Sequence, residues 1–544
     1  MSKRGLLRLA SKLGQGQQFI NLYYSLKDDP YDLEVDEQIS SYERPSEDNK
    51  GTILLPVTEG GNIFNSFTFS VLGHGFRTRG YEPKFVVCNN DLDLCIRKHR
   101  FPDDVSTCEL CYHGATSTFD AFGIEQVLIS DLSNGDEQNR EFPSEGRNIT
   151  HRDIEISDFA AASTRKFIQK FRIDFEKQPD CSIYRRFLST AAHLVDIAYR
   201  LYEEHDPAAV LAHNPAYIYG GIYLEVAHQL DIPAYSLGTG WQDQRLLFGS
   251  PGNSSTLSQF EDQTFISEVL KTELSPEEET RTRDLMASRR GGSGTRIDYV
   301  GGADQSIKKQ NNKTVIGMFT NLMWDASLEA GCPLFDDPYE WILSTIDYFA
   351  DRPDVHLVVK VHPAEAVIGA ERGVADEIDT AYDSLPGNVE LLPPDTDVSP
   401  YELLEDLDTG IVWNSTIGLE MAYYGVPVIV AGETHYRGFD FTFDPDQVDG
   451  YYQLLNDIPN LETDDEMVAR ARRYVHYLFF QKSIPFPYIK TDDDSLGGHG
   501  LPVTHEEIAD DPVLDLVVDR VIADKPVVLP RNLAKANHHV DPVV

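Results

Sequence analysis

Gly410-Ile-Val-Trp-Asn414-Ser415-Thr416-Ile-Gly-Leu-Glu420 carries a short apolar run straight into a helical pattern, and Val426-Pro-Val-Ile-Val-Ala431 follows after a single glycine. Strand at 410–413, helix at 416–424 and strand at 426–431 make a βαβ unit, which commits this part of the chain to a parallel sheet. Asn414, Ser415 and Thr416 fall at the helix cap. Free backbone N–H groups and the helix dipole make such a cap an anion site, although an ordinary N-cap has the same residues. Glu420 lies one turn beyond Thr416 on the same helix face, placed to accept from ribose hydroxyls behind a bound phosphate.

The same grammar continues upstream. Thr314–Phe319 predicts a strand, Pro338–Ala350 a helix and Val355–Val361 a buried strand ending in Val359-Lys360-Val361-His362-Pro363-Ala364-Glu365. Doubly wound sheets bind ligands beyond the carboxyl ends of their strands, and His362 falls there. Pro363 restricts the residue before it to an extended backbone, so the imidazole is presented in a fixed way. It can donate a hydrogen bond or, if protonated, neutralise a phosphate; a strand-end histidine satisfied by a carbonyl gives the same pattern.

The first half repeats the unit. Thr52–Val57 (strand), Thr58-Glu59-Gly60-Gly61 (turn), the helical pattern through Phe64, Phe67, Val71 and Leu72, and Lys84–Val87 (strand) form one copy. Ala208–His213, Ala216–Leu230 and Ile232–Leu237 form another, with long helical patterns near 157–178 and 183–204 between them. Gly, Ser and charge without periodicity at 289–295 and 305–313 mark a linker. The expected organisation is an N-terminal extension (1–50), a first α/β domain (51–300), a second α/β domain (310–490) and a tail (491–544). The expected fold is α/β, two doubly wound Rossmann-like domains facing a cleft, the default ligand site.

Composition excludes several classes. The chain has 544 residues, 89 Asp plus Glu against 47 Lys plus Arg, and a formal net charge of −42. A hydrophobic fraction of 41% with 10% aromatics excludes an acidic disordered protein, and the charge argues against nucleic-acid binding. Such a surface self-repels in dilute buffer and is tolerable in molar salt, where the Debye length is roughly 3 Å. It resembles the acidic composition of haloarchaeal proteins. No apolar run is long enough for a secretory leader or a membrane span, so a cytoplasmic protein is expected. A short amphipathic helix around Leu6–Leu13 reads first as a plain N-terminal helix, with contact at the inner face of the cell membrane as the alternative.

Glu59 follows the first strand and is expected to face the cleft as a general base toward an acceptor hydroxyl; a surface carboxylate favoured by a helix dipole is the plain alternative. His74 and His213 are fallback bases. Cys88, Cys95, Cys108 and Cys111 give four candidate metal ligands in a span expected to be loop-rich. The Cys108-x-x-Cys111 spacing lets two thiolates hold one tetrahedral ion, a structural zinc; an iron–sulfur cluster or reduced packing cysteines fit the same residues. Cys181 and Cys332 read as packing. Asp395-Thr-Asp397 sits in a Pro-rich turn and reads as loop and capping, and Trp241, after the turn Gly238-Thr-Gly240, can stack on a sugar or pack in the core.

Together, His362-Pro363, the Asn414-Ser415-Thr416 cap with Glu420, the run Tyr424-Gly-Val-Pro427-Val-Ile-Val-Ala-Gly432 and the aromatic segment His435-Tyr-Arg-Gly-Phe-Asp-Phe-Thr442 resemble capsule polysaccharide biosynthesis proteins and related GT-B glycosyltransferases. The resemblance covers residues 314–485; the first half matches only in its βαβ layout. It implies a glycosyltransferase using a nucleotide-sugar donor, CMP- or UDP-linked, on a saccharide or lipid-linked acceptor. His362, Ser415 and Thr416 would hold the phosphate and Glu420 the ribose, with Lys360, Pro363, Glu365 and Asn414 in the same binding set and no cofactor required for transfer. The family's acidic-Gly base motif has a loose counterpart in Glu59-Gly60. A non-catalytic nucleotide-sugar-binding partner, a glycerophosphotransferase and a sugar epimerase are the competing readings.

Overall fold

A computed structural model of the chain describes all residues except 1–9, 11–17, 21–32, 44–48, 100–104, 135–139, 143–147, 250–262, 291–312, 369–372, 397, 492–497 and 537–544. Of the linker expected at 289–295 and 305–313, residues 291–295 and 305–312 lie outside the described residues, as do most of the Leu6–Leu13 helix and Asp397. The chain divides into two compact units. One comprises 1–168, 173–259 and 481–544; the other comprises 169–172 and 260–480.

The first unit is built on a seven-stranded sheet. Its strands are β1 (Thr52–Val57), β2 (Glu82–Val87), β3 (Glu125–Leu128), β4 (Pro207–His213), β5 (Ala234–Thr239) and β6 (Arg245–Phe248), with the two-residue strand Ile484–Pro485. The spatial order is Ile484–Pro485, β6, β5, β4, β1, β2, β3. Pairings from β5 through β3 are parallel, while β6 joins β5, and Ile484–Pro485 joins β6, antiparallel. Helices α1 (Ile63–Thr78), α2 (Val105–Phe122), α3 (Ser157–Ile168), α4 (Asp180–His205) and α5 (Ile218–Gln229) make the connections. α1 is apolar on nearly all sides, with Phe64, Phe67, Phe69, Val71 and Phe76 buried. A helix of that kind needs cover on more than one face, and the C-terminal segment supplies it: Val513, Leu514 and Val517 join Phe67 and Phe76 in one core.

Two expected boundaries are therefore corrected. Residues 481–544 belong to the first unit rather than forming a separate tail, because Ile484 pairs with Leu246 and the helix Pro512–Ile522 joins the core around α1. Residues 37–41, part of the expected N-terminal extension, form a short helix whose Ile39 is buried in that core.

The second unit takes α6 (Gln263–Lys271) and α7 (Pro276–Arg290), which the sequence placed in the first domain and its linker. Its sheet holds β7 (Thr314–Phe319), β8 (Val355–Lys360), β9 (Val389–Leu392), β10 (Thr409–Val412) and β11 (Val428–Val430) in the order β9-β8-β7-β10-β11, every pairing parallel. Helices α8 (Pro338–Ala350), α9 (Val374–Ala381), α10 (Thr416–Tyr424) and α11 (Asp465–His476) belong to this unit. Ile316, Leu357, Ile411, Trp341 and Trp413 are buried in one core cluster. The doubly wound α/β class is thus present in both units. Among the described residues no helix is long and apolar enough to cross a membrane.

Candidate functional site

In the second unit, strand order reverses between β7 and β10, so the switch point lies beyond Phe319 and Val412, where doubly wound sheets bind ligands. A ladder of polar side chains crosses that edge. The Thr320 hydroxyl accepts from the His362 backbone N–H at 3.2 Å, and the Asn321 side-chain amide donates to Asn414 Oδ1 at 2.7 Å. His362 and the 414–416 segment thus sit on one edge, tied through β7. Thr320 and Asn321 were not singled out from the sequence; a polar pair directly after the first strand of a doubly wound unit was the available signal.

His362 is half-buried, and burial pushes its imidazole below the ordinary range, with Lys360 adding to the effect and Asp325 opposing it. Its Nδ1 accepts from the Ala364 N–H at 3.2 Å, which assigns the proton to Nε2. The group at this edge is a neutral hydrogen-bond donor, not the imidazolium that could neutralise a phosphate. Charge comes instead from Lys360, buried at the end of β8 and donating to the Val361 carbonyl at 3.1 Å. Burial lowers this ammonium to about 8, with Asp395 opposing, so it stays largely protonated at neutral pH.

Ser415 is the N-cap of α10, with extended backbone and no side-chain capping bond, and both Ser415 and Thr416 are half-buried. Its carbonyl accepts from the buried Tyr436 hydroxyl at 2.6 Å. A Cβ at Gly418 would stand 2.4 Å from that hydroxyl oxygen, so only glycine lets Tyr436 brace the cap. Tyr436 lies in the aromatic segment noted in the sequence, but its bracing role was not read there.

Three expected ligands have other work. Asn414 is no cap: it accepts from Asn321 and donates to the Ser327 carbonyl at 2.8 Å, bracing the edge. Glu365 is buried and turns toward the start of α9, where its carboxylate accepts from the Val374 N–H at 3.2 Å; burial raises it to about 7. Glu420 is no free acceptor for a ribose. Its Oε1 accepts from Arg289 of α7 at 2.7 Å, and the two side chains are 2% and 7% exposed. A buried guanidinium needs a counter-charge, and Glu420 supplies it.

In the first unit the order reverses between β1 and β4. Thr58-Glu59-Gly60-Gly61 leaves β1 there, and His213, which ends β4, is 3.4 Å from the Asn65 side chain of α1. Burial raises the Glu59 carboxyl, with Arg97 and Lys166 opposing. The two glycines let this turn pass close under α2: a Cβ at Gly61 would lie 2.7 Å from the Cys111 Cα. His74 is excluded as a base. It is buried in α1, its ring nitrogens 2.7 Å from Arg77 and 3.0 Å from His505, and burial lowers it to about 3.

The four cysteines do gather, though not in a loop. Cys108 and Cys111 lie on α2, Cys88 just past β2 and Cys95 before a short 3-10 turn. All are free thiols, and each is within electrostatic reach of the other three. As placed, no three His, Cys, Asp or Glu side chains among the described residues are arranged to hold a metal ion. Gly238 and Thr239 belong to β5 rather than to a turn, and Trp241 follows half-buried.

The class these features define is a doubly wound α/β protein carrying polar side chains at the switch point of each sheet. More particularly, residues 269–453 match the family model described as capsule polysaccharide biosynthesis protein. No curated protein sequence matches the chain. Among solved structures, the chain is similar to the KpsC beta Kdo 2,4 transferase of Thermosulfurimonas dismutans, at 13% identity and TM-score 0.34, covering 58% of this chain and 87% of that one. It is also similar to the calicheamicin glycosyltransferase CalG4, at 14% identity and TM-score 0.27, covering 78% and 93%. The UDP-GlcNAc 2-epimerase of Neisseria meningitidis is similar at 11% identity and TM-score 0.23, covering 78% and 97%.

Proposed function

We propose that the chain is a glycosyltransferase that takes a sugar from a nucleotide-activated donor and passes it to a saccharide or lipid-linked acceptor in polysaccharide biosynthesis. The observation that carries this reading is the tied edge at the second unit's switch point. There a neutral imidazole donor, a buried ammonium and a helix N-terminus with an uncommitted N-cap hydroxyl lie along one sheet edge. Those groups suit a phosphate, which takes hydrogen bonds from N–H and O–H donors and is favoured by the helix dipole. The match of 269–453 to a capsule polysaccharide biosynthesis model supports the same reading.

The reaction assigns each chain group a limited task. His362 Nε2–H, Lys360 and the start of α10 bind the donor's phosphate and stabilise the charge that builds on it as the glycosidic bond breaks. Glu59, more basic than an ordinary glutamate, takes the proton of the attacking hydroxyl. No role on the ribose is left to Glu420.

Thermal shifts against CMP, CDP, UDP and GDP identify the nucleotide, since a ligand at 100 times its Kd adds about 2.7 kcal/mol. Ser415→Ala with Thr416→Ala should then weaken the nucleotide that binds at least tenfold, because a charge-assisted hydrogen bond is worth about 1.5–3 kcal/mol. The fold should hardly change, as Ser415 makes no capping bond to lose. Wild-type affinity in this variant would refute the site.

A further inference from the structure

Three side chains in the first unit form a relay that donates in a single direction. Arg77, buried on α1, gives its guanidinium to the carbonyls of Ile39, of Phe122 at 3.0 Å and of Gly123 at 2.9 Å. The same Nη2 lies 2.7 Å from Nδ1 of His74, one turn earlier on α1. A guanidinium only donates, so His74 Nδ1 carries a lone pair and the ring's proton is on Nε2. That Nε2 is 3.0 Å from His505 Nδ1, which therefore accepts. Arg77 thus assigns the hydrogens of both imidazoles.

The relay ends where two distant parts of the chain meet on α1. His505 opens the short helix His505–Ala509, and its backbone N–H donates to Asp36 Oδ2 at 3.1 Å. Val35 bridges Val503, and the Asp36 N–H donates to the Val503 carbonyl at 3.1 Å. The Tyr42 ring stacks on His505 at 4.9 Å and stands edge-on to His74 at 5.7 Å. His74, fully buried, lies beneath both segments. The charged groups around the pair are largely committed. Asp36 accepts from the backbone N–H groups of Gln38 and His505 and draws positive charge toward the His505 ring. Arg79 is held by Asp515 and by the carbonyls of Ala509 and Asp511, and Glu507 caps its own helix at Thr504. Arg77 and Arg79 both disfavour charge on His74.

We propose that the His74–His505 contact is a proton-operated clasp, which fastens residues 36–42 and 498–509 to α1 while both rings are neutral and releases them when either is protonated. The relay has no acceptor for another hydrogen. One added at His74 Nδ1 points at the Arg77 guanidinium, and one added at His505 Nδ1 meets the His74 N–H head on. Burial, joined by Arg77, His505 and Arg79, lowers His74 from 6.5 to about 3. The clasp is therefore fully held above about pH 6.5 and weakens as pH falls toward about 3. Release uncovers the apolar flank of α1, where a Cβ at Gly500 would stand 2.5 Å from the Phe67 ring.

The test is amide hydrogen exchange of the full chain in molar KCl, read by mass spectrometry on peptides covering 36–42 and 498–509, with each rate divided by the intrinsic rate at that pH. Protection of both peptides should fall about 30-fold between pH 7.5 and 5.0, the value for one proton taken up by an ordinary imidazole on opening. Protection of β4, in the same unit, should hold over that span. His74→Gln with His505→Asn keeps a donor and an acceptor in the relay without a titratable ring, and should leave the protection flat with pH. His505→Leu strands the buried His74 N–H and should lower protection already at neutral pH. The parent's profile decides the matter even if the double variant does not fold. Parent protection that is flat with pH, a loss shared in step by β4, a double variant as pH-sensitive as the parent, or parent-like protection in His505→Leu would each overturn the proposal.

Discussion

Arg289→Met should unfold the second unit far more easily while leaving its switch-point edge chemically unaltered. Arg289 Nη2 is 2.7 Å from Glu420 Oε1, the side chains are 7% and 2% exposed, and Glu420 Oε2 has no hydrogen-bond partner. Removing the guanidinium strands a buried carboxylate. Breaking one side of a buried pair costs about 3–5 kcal/mol, whereas replacing both partners with apolar groups of similar volume is often neutral or stabilising. Arg289→Met with Glu420→Leu should therefore recover most of the loss, since the new apolar side chain would lie by the Phe479 ring, over which the guanidinium now makes a cation–π contact at 4.9 Å. Urea unfolding followed by tryptophan fluorescence suits the question, because Trp324, Trp341 and Trp413 all belong to this unit. The competing view makes Glu420 a ribose ligand. Under it, Glu420→Gln keeps the unfolding midpoint and loses nucleotide affinity. Unchanged midpoints in both single variants would refute the structural role assigned here.

Glu365 is raised from 4.5 to about 7, so the fold favours its neutral form; its contribution is fully present below about pH 4.5 and is lost as pH rises through about 7. That gap corresponds to about 3 kcal/mol, and Glu365→Gln should therefore be more stable than the parent at pH 8–9 by up to that amount, measured as a denaturation midpoint across pH. Glu59→Gln should keep nucleotide affinity by calorimetry and lose transfer. The parent's transfer rate should fall on acidification at a pH above the ordinary glutamate range, since Glu59 is raised and must be ionised to act as base; a rate unaffected by the substitution would remove it from the mechanism. The −42 charge predicts that circular dichroism will show loss of structure on dialysis from molar KCl to dilute buffer, and an unchanged spectrum would dismiss the salt requirement.

What was legible in the sequence was local. Apolar strands ending in His362-Pro363 and Asn414-Ser415-Thr416 mark the carboxyl edge because periodicity and proline restrict a few residues at a time, and the parallel sheet follows from them. What escaped was set by partners far along the chain. Glu420 meets Arg289, 131 residues upstream, a partner that a helix-face argument within 414–420 cannot see. Glu365 was read as part of the His-Pro motif, yet its carboxylate caps a different helix. The return of residues 481–544 to the first unit depends on Ile484 pairing with Leu246, and no composition shift near residue 480 announces a strand of two residues. Cys108 and Cys111 belong to a span expected to be loop-rich, but the eighteen residues from Val105 to Phe122 close into a helix.

The anion-binding role proposed for the second unit's edge has to be reconciled with the surface charge. A phosphate approaching a protein of net charge −42 is repelled at long range, and in molar salt the Debye length of roughly 3 Å leaves exposed lysines little power to draw it in. Recognition must then rest on groups that act at contact and are shielded from solvent ions. Lys360 is 3% exposed, the His362 proton is fixed on Nε2 by its bond to Ala364, and the cap of α10 is braced from behind by Tyr436. Each is held before a ligand arrives, so little ordering is left to offset on binding. Affinity at such an edge should vary only weakly with KCl once the chain is folded. A steep loss between low and high molar salt, with the fold intact, would mean that surface cations and not this buried set hold the anion.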